Sequence, residues 1–478
     1  MSDVTSDLPE WGQKLAGFNA TIWRTSTGSP AMRSAMTALF LLDRAPDRAE
    51  LDSRLDRLSR QYPALRQRVV EPMGPLGQPR LVIDPHFDLD FHVSRYRLPA
   101  PGSWADLMRD VRHQVMADLD RDRPLWRATV IEGLPGGRAA FTLALHHAVA
   151  DGQGMVLIGA GLLDLTPAST VSDEPMPGAP RSGRVDRATV TAAALGSAGK
   201  RAGTTAVRTL WRVPGLTRSL VTDPAGSVSG AAGLAASAAR LAQFHPAPLS
   251  PLLQARGASC TPRTLDIPFP ALRAAAREHG GSLNDVFLAA VTGGMRRYHE
   301  EAGLPVGHLR VNVPISFRSG GEGATGNSVT TARVVLDASA TDVRTRVAEA
   351  RAVVAAARAE PFLEHIDALA DLFRLAPVEV SVKLTQASDV TASNVPGIPV
   401  PVYCAGAEVL RAYPLIAPLG AAVNITMLSY AGLWCSLGIT TDDAAIPDPD
   451  TFVRCLGEAF AEVGAAPGEH PSDPMPED

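Results

Sequence analysis

The stretch that decides the fold is Ala139–Gly152, which reads AAFTLALHHAVADG. Its apolar first half is typical of a buried β-strand, and two adjacent histidines, His146 and His147, follow directly. Neighbouring residues of a strand point to opposite faces, so only one of the two imidazoles can face a given cleft. Histidine titrates near neutral pH, and an imidazole at a strand end is therefore placed to act as a general base. Asp151 can orient the loop or a histidine, and Gly152 permits the tight turn.

Three other interpretations of this stretch compete with general-base chemistry. A metal site built from His146, His147 and Asp151 is disfavoured, because consecutive histidines chelate one ion poorly and no HExxH or CxxC pattern accompanies them. A serine hydrolase would need a GxSxG elbow, and the nearest match, over 226–230, has valine at its centre. A histidine that is simply satisfied inside the core is the third alternative.

Strand-like and helix-like patterns alternate around this stretch, which predicts an α/β layer architecture. The first third predicts strands over 36–42, 126–131 and 139–145, a turn over 134–137, helices over 104–119 and 155–165, and a helix after Pro46 with Leu51, Leu55, Leu58 and Tyr62 on one face. The second half predicts helices over 284–299 and 341–358, strands over 309–315, 401–410, 421–430 and 433–439, and a closing helix with Phe452, Leu456, Phe460 and Val463 on one face.

The amino-acid composition changes between these two halves. After the first 170 residues the sequence turns rich in Ala, Gly, Ser, Thr and Pro, with few large apolar side chains. We therefore expect an N-terminal domain over 1–170, a linker with helical pieces over 171–257, a C-terminal domain over 258–466 and a disordered acidic tail over 467–478.

Composition excludes several classes of protein. The 478 residues carry 45 Lys plus Arg against 50 Asp plus Glu, a net charge of −5, which argues against nucleic acid as a partner. No apolar run is long enough to span a membrane, and the polar N-terminus does not resemble a secretory signal. The four cysteines form no CxxC pair, so neither a disulfide framework nor a structural zinc site is indicated. These features favour a cytoplasmic protein.

One segment of the linker can contact a lipid surface. Residues 187–222 contain six basic residues and no acidic ones, and Val207, Leu210 and Trp211 share one helical face before Pro214. A basic amphipathic segment can lie on an anionic membrane or lipid-droplet surface, on the inner face of the membrane for a cytoplasmic protein. The alternative is a solvated linker helix that packs on its own domain.

Motifs spread along the chain identify a family. HHxxxDG, with Pro124-Leu125-Trp126 upstream of it, resembles the bifunctional wax ester synthase/acyl-CoA:diacylglycerol acyltransferase family. FDLDFHV over 87–93 and Asn284-Asp285-Val286 are similar to further blocks of that family. Later blocks follow in the expected order over 313–318, 326–327, 393–397 and 424–430. HHxxxDG alone is shared with the wider CoA-dependent acyltransferases, including peptide-synthetase condensation domains.

The resemblance implies a fold and an activity. The fold would be two chloramphenicol-acetyltransferase-like domains with a channel between them, joined by a long linker. The activity would be transfer of a long-chain acyl group from acyl-CoA to the hydroxyl of diacylglycerol or a fatty alcohol, which gives triacylglycerol or wax ester. Acyl-CoA and a lipid alcohol would be the partners, and no metal or further cofactor is implied. Alternatives are an acyltransferase of the same fold that acts on a specialised metabolite or a carrier-protein-bound acyl group, and an inactive lipid- or acyl-CoA-binding protein.

The same resemblance assigns roles to residues of the first half. His147 matches the catalytic base, His146 and Asp151 would shape the site, and Gly152 would let the loop turn. Pro124, Leu125 and Trp126 would wall the site or support the loop. Core packing at a strand start is the alternative interpretation of these three residues.

The assignments in the second half leave alternatives open. Asn284 would face the channel and steady a developing negative charge, with Asp285 in support. Ser282 and Asp285 also satisfy a capping-box pattern, so Asp285 can serve only to cap a helix. Arg318 is a candidate contact for a CoA phosphate or a member of a structural ion pair.

Overall fold

The computed structural model describes residues 12–15, 17–73, 77–167, 175–180, 185–193, 247–316, 329–360 and 377–469. They form a mixed α/β protein, as the sequence predicts. Arg318 lies outside the described residues, as do 470–478 of the predicted tail. Of the basic segment 187–222, only 187–193 is described, and these residues are helical.

The elements follow one another in the alternating order that the sequence patterns indicate. The strands are β1 (Gln13–Lys14), β2 (Ala35–Leu42), β3 (Gln67–Val70), β4 (Arg80–Ile83), β5 (Val93–Arg97), β6 (Trp126–Glu132), β7 (Ala139–His146), β8 (Leu163–Asp164), β9 (Cys260–Pro268), β10 (His308–Ser316), β11 (Val329–Asp337), β12 (Val390–Val395), β13 (Tyr403–Cys404), β14 (Ala407–Ile416), β15 (Val423–Tyr430) and β16 (Trp434–Asp442). The helices are α1 (Gly17–Gly28), α2 (Arg48–Gln61), α3 (Leu89–His92), α4 (Trp104–Met116), α5 (Gly152–Ala160), α6 (187–193), α7 (Phe269–Glu278), α8 (Leu283–Glu301), α9 (Val343–Arg358), α10 (Val378–Gln386) and α11 (Pro449–Glu462).

Two large sheets organise the molecule. The first has the strand order β5-β6-β7-β2-β14-β13-β8, and the second has the order β11-β10-β12-β15-β16-β9. A smaller sheet, β1-β4-β3, lies beside the first. Strand β7 is central and is buried along its whole length, because β2 and β6 flank it and both of its faces are covered.

The second half of the chain contributes to the first sheet. Strand β14 pairs with β2 in antiparallel register, from Ile416 opposite Met36 onward. It also passes so close to β16 that a Cβ on Gly438 would lie 1.9 Å from the carbonyl oxygen of Pro414, so only glycine fits there. The two sheets thus pack closely against each other where β14 crosses β16. The domain bounds expected from the sequence stay a prediction.

Several predicted elements are confirmed and two are wrong. Helix α2 buries Leu51, Leu55 and Leu58, as the spacing predicts. The helix expected over 155–165 instead spans Gly152–Ala160, and its last residues form β8, which pairs with β13. The single strand expected over 401–410 is divided into β13 and the start of β14 by a turn at Ala405 and Gly406, both with positive φ.

Three findings bear on the function classes raised above. All four cysteines are buried free thiols. No described helix is both long enough and apolar enough to cross a bilayer. Within the described part of the chain, no group of three or more His, Cys, Asp or Glu side chains is arranged to hold a metal ion.

Candidate active site

The histidine pair is held in place by backbone hydrogen bonds from two neighbouring segments. The N–H of His146 donates to the carbonyl oxygen of Leu125, at 3.0 Å, and the N–H of His147 donates to that of Ser34, at 2.7 Å. Ser34 directly precedes β2, and Leu125 directly precedes β6. Because β2 and β6 flank β7, the end of β7 is held from both sides.

His146 is a buried, neutral histidine. Its side chain is 2% exposed, and its Nδ1 accepts the N–H of Ala148 at 3.1 Å. The proton therefore lies on Nε2, which donates to Oγ of Ser26 on α1 at 3.1 Å. Burial, with the nearby charges of Arg121 and His147, lowers the pKa of His146 to about 3. A ring in this state stabilises the loop but does not accept a proton near neutral pH.

His147 differs from its neighbour because its side chain is partly exposed. Burial of the ring lowers its pKa below the ordinary 6.5, and two contacts oppose that effect: a hydrogen bond to the carbonyl of its own residue and the charge of Asp151. Nδ1 is the ring nitrogen that can reach the residue's own carbonyl. That bond favours the proton on Nδ1. The role of His147 as the base of this pair stays a prediction.

Asp151 and Gly152 form the start of α5. One carboxylate oxygen of Asp151 accepts the N–H of Gly154 at 2.7 Å, which makes Asp151 the N-cap of the helix. Asp151 is 1% exposed. A Cβ on Gly152 would lie 3.4 Å from Cγ2 of Val395, at the end of β12. Gly152 therefore lets the second sheet approach the segment over 146–151, the histidine loop, closely.

Pro124, Leu125 and Trp126 lie behind the histidine loop and are all buried. Leu125 supplies the carbonyl that holds His146, and the indole N–H of Trp126 donates to the carbonyl of Leu65 at 2.7 Å. These three residues support the loop through packing and backbone hydrogen bonds. The structure places none of them on the wall of the cavity described below.

The block over 87–93 completes this support. The ring of His92 stacks between the indole of Trp126, at 4.5 Å between centroids, and the ring of Phe87, at 5.4 Å. Its Nδ1 lies 2.8 Å from the carbonyl oxygen of Trp126. The two aromatic motifs therefore form one stack against the strand next to β7.

Asn284 and Asp285 lie at the start of α8 in the second half. The carboxylate of Asp285 accepts the N–H of Ser282 at 2.7 Å, and Oγ of Ser282 accepts the N–H of Asp285 at 3.3 Å, which completes a capping box. Asp285 thus caps the helix. Asn284 is partly exposed, and neither residue lines the cavity. The role of Asn284 toward the reaction stays a prediction, as does that of Arg318.

A largely apolar cavity lies between the two sheets and reaches the histidine loop at Gly152. Its volume is about 740 Å³, counted with its opening to solvent. Helix α5 forms one wall and strands β2 and β14 another, while β15 and the segment after β12 close it from the second sheet. The lining side chains include Met36, Phe40, Leu143, Met155, Val156, Val395, Ile398, Val402, Ile416 and Leu428.

Most hydroxyl groups around this cavity are already hydrogen-bonded. Tyr413 donates to a carboxylate oxygen of Asp266 at 2.6 Å, and Tyr430 donates to the carbonyl of Val409 at 2.8 Å. Thr426 donates to the amide oxygen of Asn424 at 2.8 Å. The cavity therefore presents an apolar surface, which suits a hydrocarbon chain better than a polar ligand.

The comparisons with known proteins bear on both halves of the chain. Residues 15–287 match the model of the wax ester synthase/diacylglycerol acyltransferase catalytic domain, and residues 325–464 match that of the WS/DGAT C-terminal domain. A presumed diacylglycerol O-acyltransferase of Mycobacterium tuberculosis (strain H37Rv) is 35% identical over 447 residues, which cover 92% of this chain and 89% of the relative. A second protein of that description from the same strain is 32% identical and covers 78% and 80%.

Two solved structures share the fold. The wax ester synthase/diacylglycerol acyltransferase from Marinobacter aquaeolei VT8 matches with a TM-score of 0.58 at 22% identity, over 90% of this chain and 94% of the other. The first condensation domain of the calcium-dependent antibiotic synthetase matches with a TM-score of 0.61 at 17% identity, over 96% and 99%. The expected two-domain, chloramphenicol-acetyltransferase-like architecture is thereby confirmed as the fold.

Proposed function

The chain belongs to the wax ester synthase/diacylglycerol acyltransferase family, and on that premise we propose that it transfers a long-chain acyl group from acyl-CoA to the hydroxyl of diacylglycerol or a fatty alcohol. The products would be triacylglycerol or wax ester and free CoA. The acyltransferase family itself rests on the matches to both of its domain models and on the relatives above.

The observation that supports this proposal best is an apolar cavity that the histidine motif reaches at Gly152. His147 is partly exposed just after β7, and the residue that ends its motif, Gly152, lines an apolar cavity that opens to solvent. A hydrocarbon chain in that space would lie with its reactive end toward the loop. Burial of each methylene group there is worth about 0.8 kcal/mol, so a long chain would contribute much of the binding energy.

In the proposed reaction, Nε2 of His147 accepts the hydroxyl proton of the acceptor as its oxygen attacks the thioester carbonyl carbon. A tetrahedral intermediate forms and collapses, and the carbon–sulfur bond breaks. The CoA sulfur leaves with the electron pair and takes the proton back from His147. Such base assistance contributes about 10²- to 10⁴-fold to the rate.

The other motif residues would act around this step. His146 and Asp151 would hold the loop that carries His147, and Asp151 would also favour the imidazolium that forms on it. Asn284 or backbone N–H groups would stabilise the oxyanion, and the loss of one such donor typically costs about 3 kcal/mol.

The test measures CoA release and ester formation with purified protein. Long-chain acyl-CoA is combined separately with a fatty alcohol, with diacylglycerol and with non-lipid alcohols. We expect an ester with at least one lipid alcohol and its loss in His147→Ala. His308→Ala is the matched control, because His308 is an exposed histidine at the start of β10.

Each other outcome is informative. Activity of His147→Ala close to that of the wild type would reject the assignment of the base. Turnover only with an acyl group on a carrier protein, or only with a non-lipid acceptor, would replace the proposed substrates and leave the acyl transfer in place. Tight acyl-CoA binding without any ester would favour an acyl-binding protein.

A further inference from the structure

The inner face of α5 lines the cavity from one end of the helix to the other. Gly152, Met155, Val156, Gly159 and Ala160 all contribute to the wall. Their spacing of three and four residues places them on one side of the helix, as expected for a single contact face. The cavity therefore runs along α5 and away from the histidine loop.

Helix geometry gives the depth of this space. Gly152 and Gly159 are seven positions apart in α5, and at 1.5 Å per residue they are separated by about 10 Å along the axis. Gly152 lies at the end beside the histidine loop. Gly159 therefore lies at the distal end, where a chain with its reactive group at His147 would end.

Gly159 faces an aromatic ring at that distal end. A Cβ built on Gly159 would lie 3.9 Å from Cζ of Phe40, which is an ordinary van der Waals distance, and no other atom from outside its own stretch of helix lies within 4 Å. The ring of Phe40 is braced by Phe141, with 6.0 Å between centroids. A side chain at position 159 would thus fill the cavity without a backbone clash, against a ring that is held in place.

We propose that Gly159 and Phe40 set the length of the alkyl chain that the cavity accepts. The inference rests on the proposed function, since it takes the cavity to hold the chain of one of the two substrates of acyl transfer. The bound alkyl chain is that of the acyl donor or that of the acceptor alcohol, and both would contact the cavity wall through the same methylene groups. Each methylene that no longer fits should lower kcat/KM about fourfold.

The experiment compares chain-length profiles of the wild type, Gly159→Ala, Gly159→Val and Phe40→Leu. One arm varies the acyl-CoA chain with a fixed alcohol, and the other varies the alcohol with a fixed acyl-CoA. We expect the optimum of one arm to move to shorter chains in Gly159→Ala and further in Gly159→Val, with short-chain activity retained. Phe40→Leu, which shortens the opposing ring, should move the same optimum to longer chains.

The control is Leu157→Val, on the exposed face of the same helix, and its profile should match that of the wild type. Replacement of Gly159 also removes a helical glycine, so these variants should fold at least as well as the wild type, and thermal unfolding verifies this. Unchanged profiles in both arms would overturn the inference while leaving the proposed function intact. If no ester forms with any chain, the proposed function fails, and displacement of a fluorescent fatty acid by the same acyl-CoA and alcohol series still measures the length preference of each variant.

Discussion

In two regions of the molecule a buried histidine is hydrogen-bonded to a serine, and the direction of the hydrogen bond differs between the two. In the histidine loop, Nε2 of His146 donates to Oγ of Ser26, at 3.1 Å, because its Nδ1 accepts a backbone N–H. On α8, Nδ1 of His299 donates to the carbonyl of Met295 at 2.7 Å, so its Nε2 accepts from Oγ of Ser250 at 2.6 Å. Burial lowers the pKa of both histidines.

The difference lies in what adjoins each pair. His146 is followed by a partly exposed imidazole and by a helix that lines the cavity, whereas His299 is buried in the last turn of α8, at 0% exposure. Each of the two helices also has an aspartate at its start: Asp151 is the N-cap of α5, and Asp285 is the N3 residue of the capping box that Ser282 begins on α8. Similar hydrogen bonds therefore stabilise both regions, but of the two only the first contributes described residues to the lining of the cavity.

The largest effect on kcat is expected from replacement of His147, which has no counterpart next to His299. His147→Ala should lower kcat by about 10²- to 10⁴-fold, because it removes the proposed base. Added imidazole should restore part of the rate, since the variant leaves room beside the cavity. Steady-state kinetics with and without imidazole measure both. A rate loss of the same size in His299→Ala, at equal folded fraction, would contradict the distinction between the two regions.

The pH dependence of stability should be shared by the two regions. The folded-state pKa of His146, about 3, lies below the ordinary 6.5, so the unfolded chain binds more protons between these values. The stability that neutral His146 contributes is fully present above pH 6.5 and is lost on acidification toward pH 3, by about 1.4 kcal/mol per pH unit.

His146→Asn, which keeps an acceptor for the backbone N–H, should therefore lose less stability in acid than the wild type. Thermal unfolding between pH 7 and pH 4 measures the difference. We expect His299→Asn to behave in the same way, because burial lowers its pKa in the same direction. Parallel curves for the wild type and both variants would show that neither histidine is buried in neutral form.

The serines should separate stability from catalysis. Ser26→Ala leaves the Nε2–H of His146 without its acceptor, and Ser250→Ala leaves Nε2 of His299 without its donor. Each should cost about 1–3 kcal/mol. Only Ser26→Ala should also lower kcat, with KM little changed, because α1 holds the loop that carries His147. Equal kcat in the two variants would limit Ser26 to a structural role.

The smallest effects are expected at the two capping aspartates. Asparagine is about as good an N-cap as aspartate, and at position 285 its amide oxygen can still accept the N–H of Ser282, so Asp151→Asn and Asp285→Asn should change stability by less than about 1 kcal/mol. Asp151→Asn should in addition lower the pKa of His147, because the carboxylate charge raises it. The acid limb of the kcat/KM profile should then move to lower pH in Asp151→Asn and stay in place in Asp285→Asn.

Local sequence patterns were sufficient to predict the elements whose apolar residues form a continuous run or recur at regular spacing. Strand β7 and helix α2 follow from an apolar run and from one apolar face, because burial rewards those patterns wherever the element lies. Helix α5 was predicted too long because Leu163 is as compatible with a helix as with a strand, and its pairing with β13 lies far along the chain. Strand β9 was missed because its alternating polar residues give no continuous apolar run.

The sequence by itself determined that one of two adjacent histidines can face a cleft, that a glycine turn and an apolar helix follow, and that the motifs resemble those of an acyltransferase family. Tertiary structure alone decided which imidazole is buried against Ser26, and that Phe40, Gly159 and Leu428 line one cavity. The physical reason is the distance along the sequence over which each effect acts. Propensity and periodicity act over one or two turns, whereas a cavity and a tautomer depend on side chains that strand register brings together from distant parts of the chain.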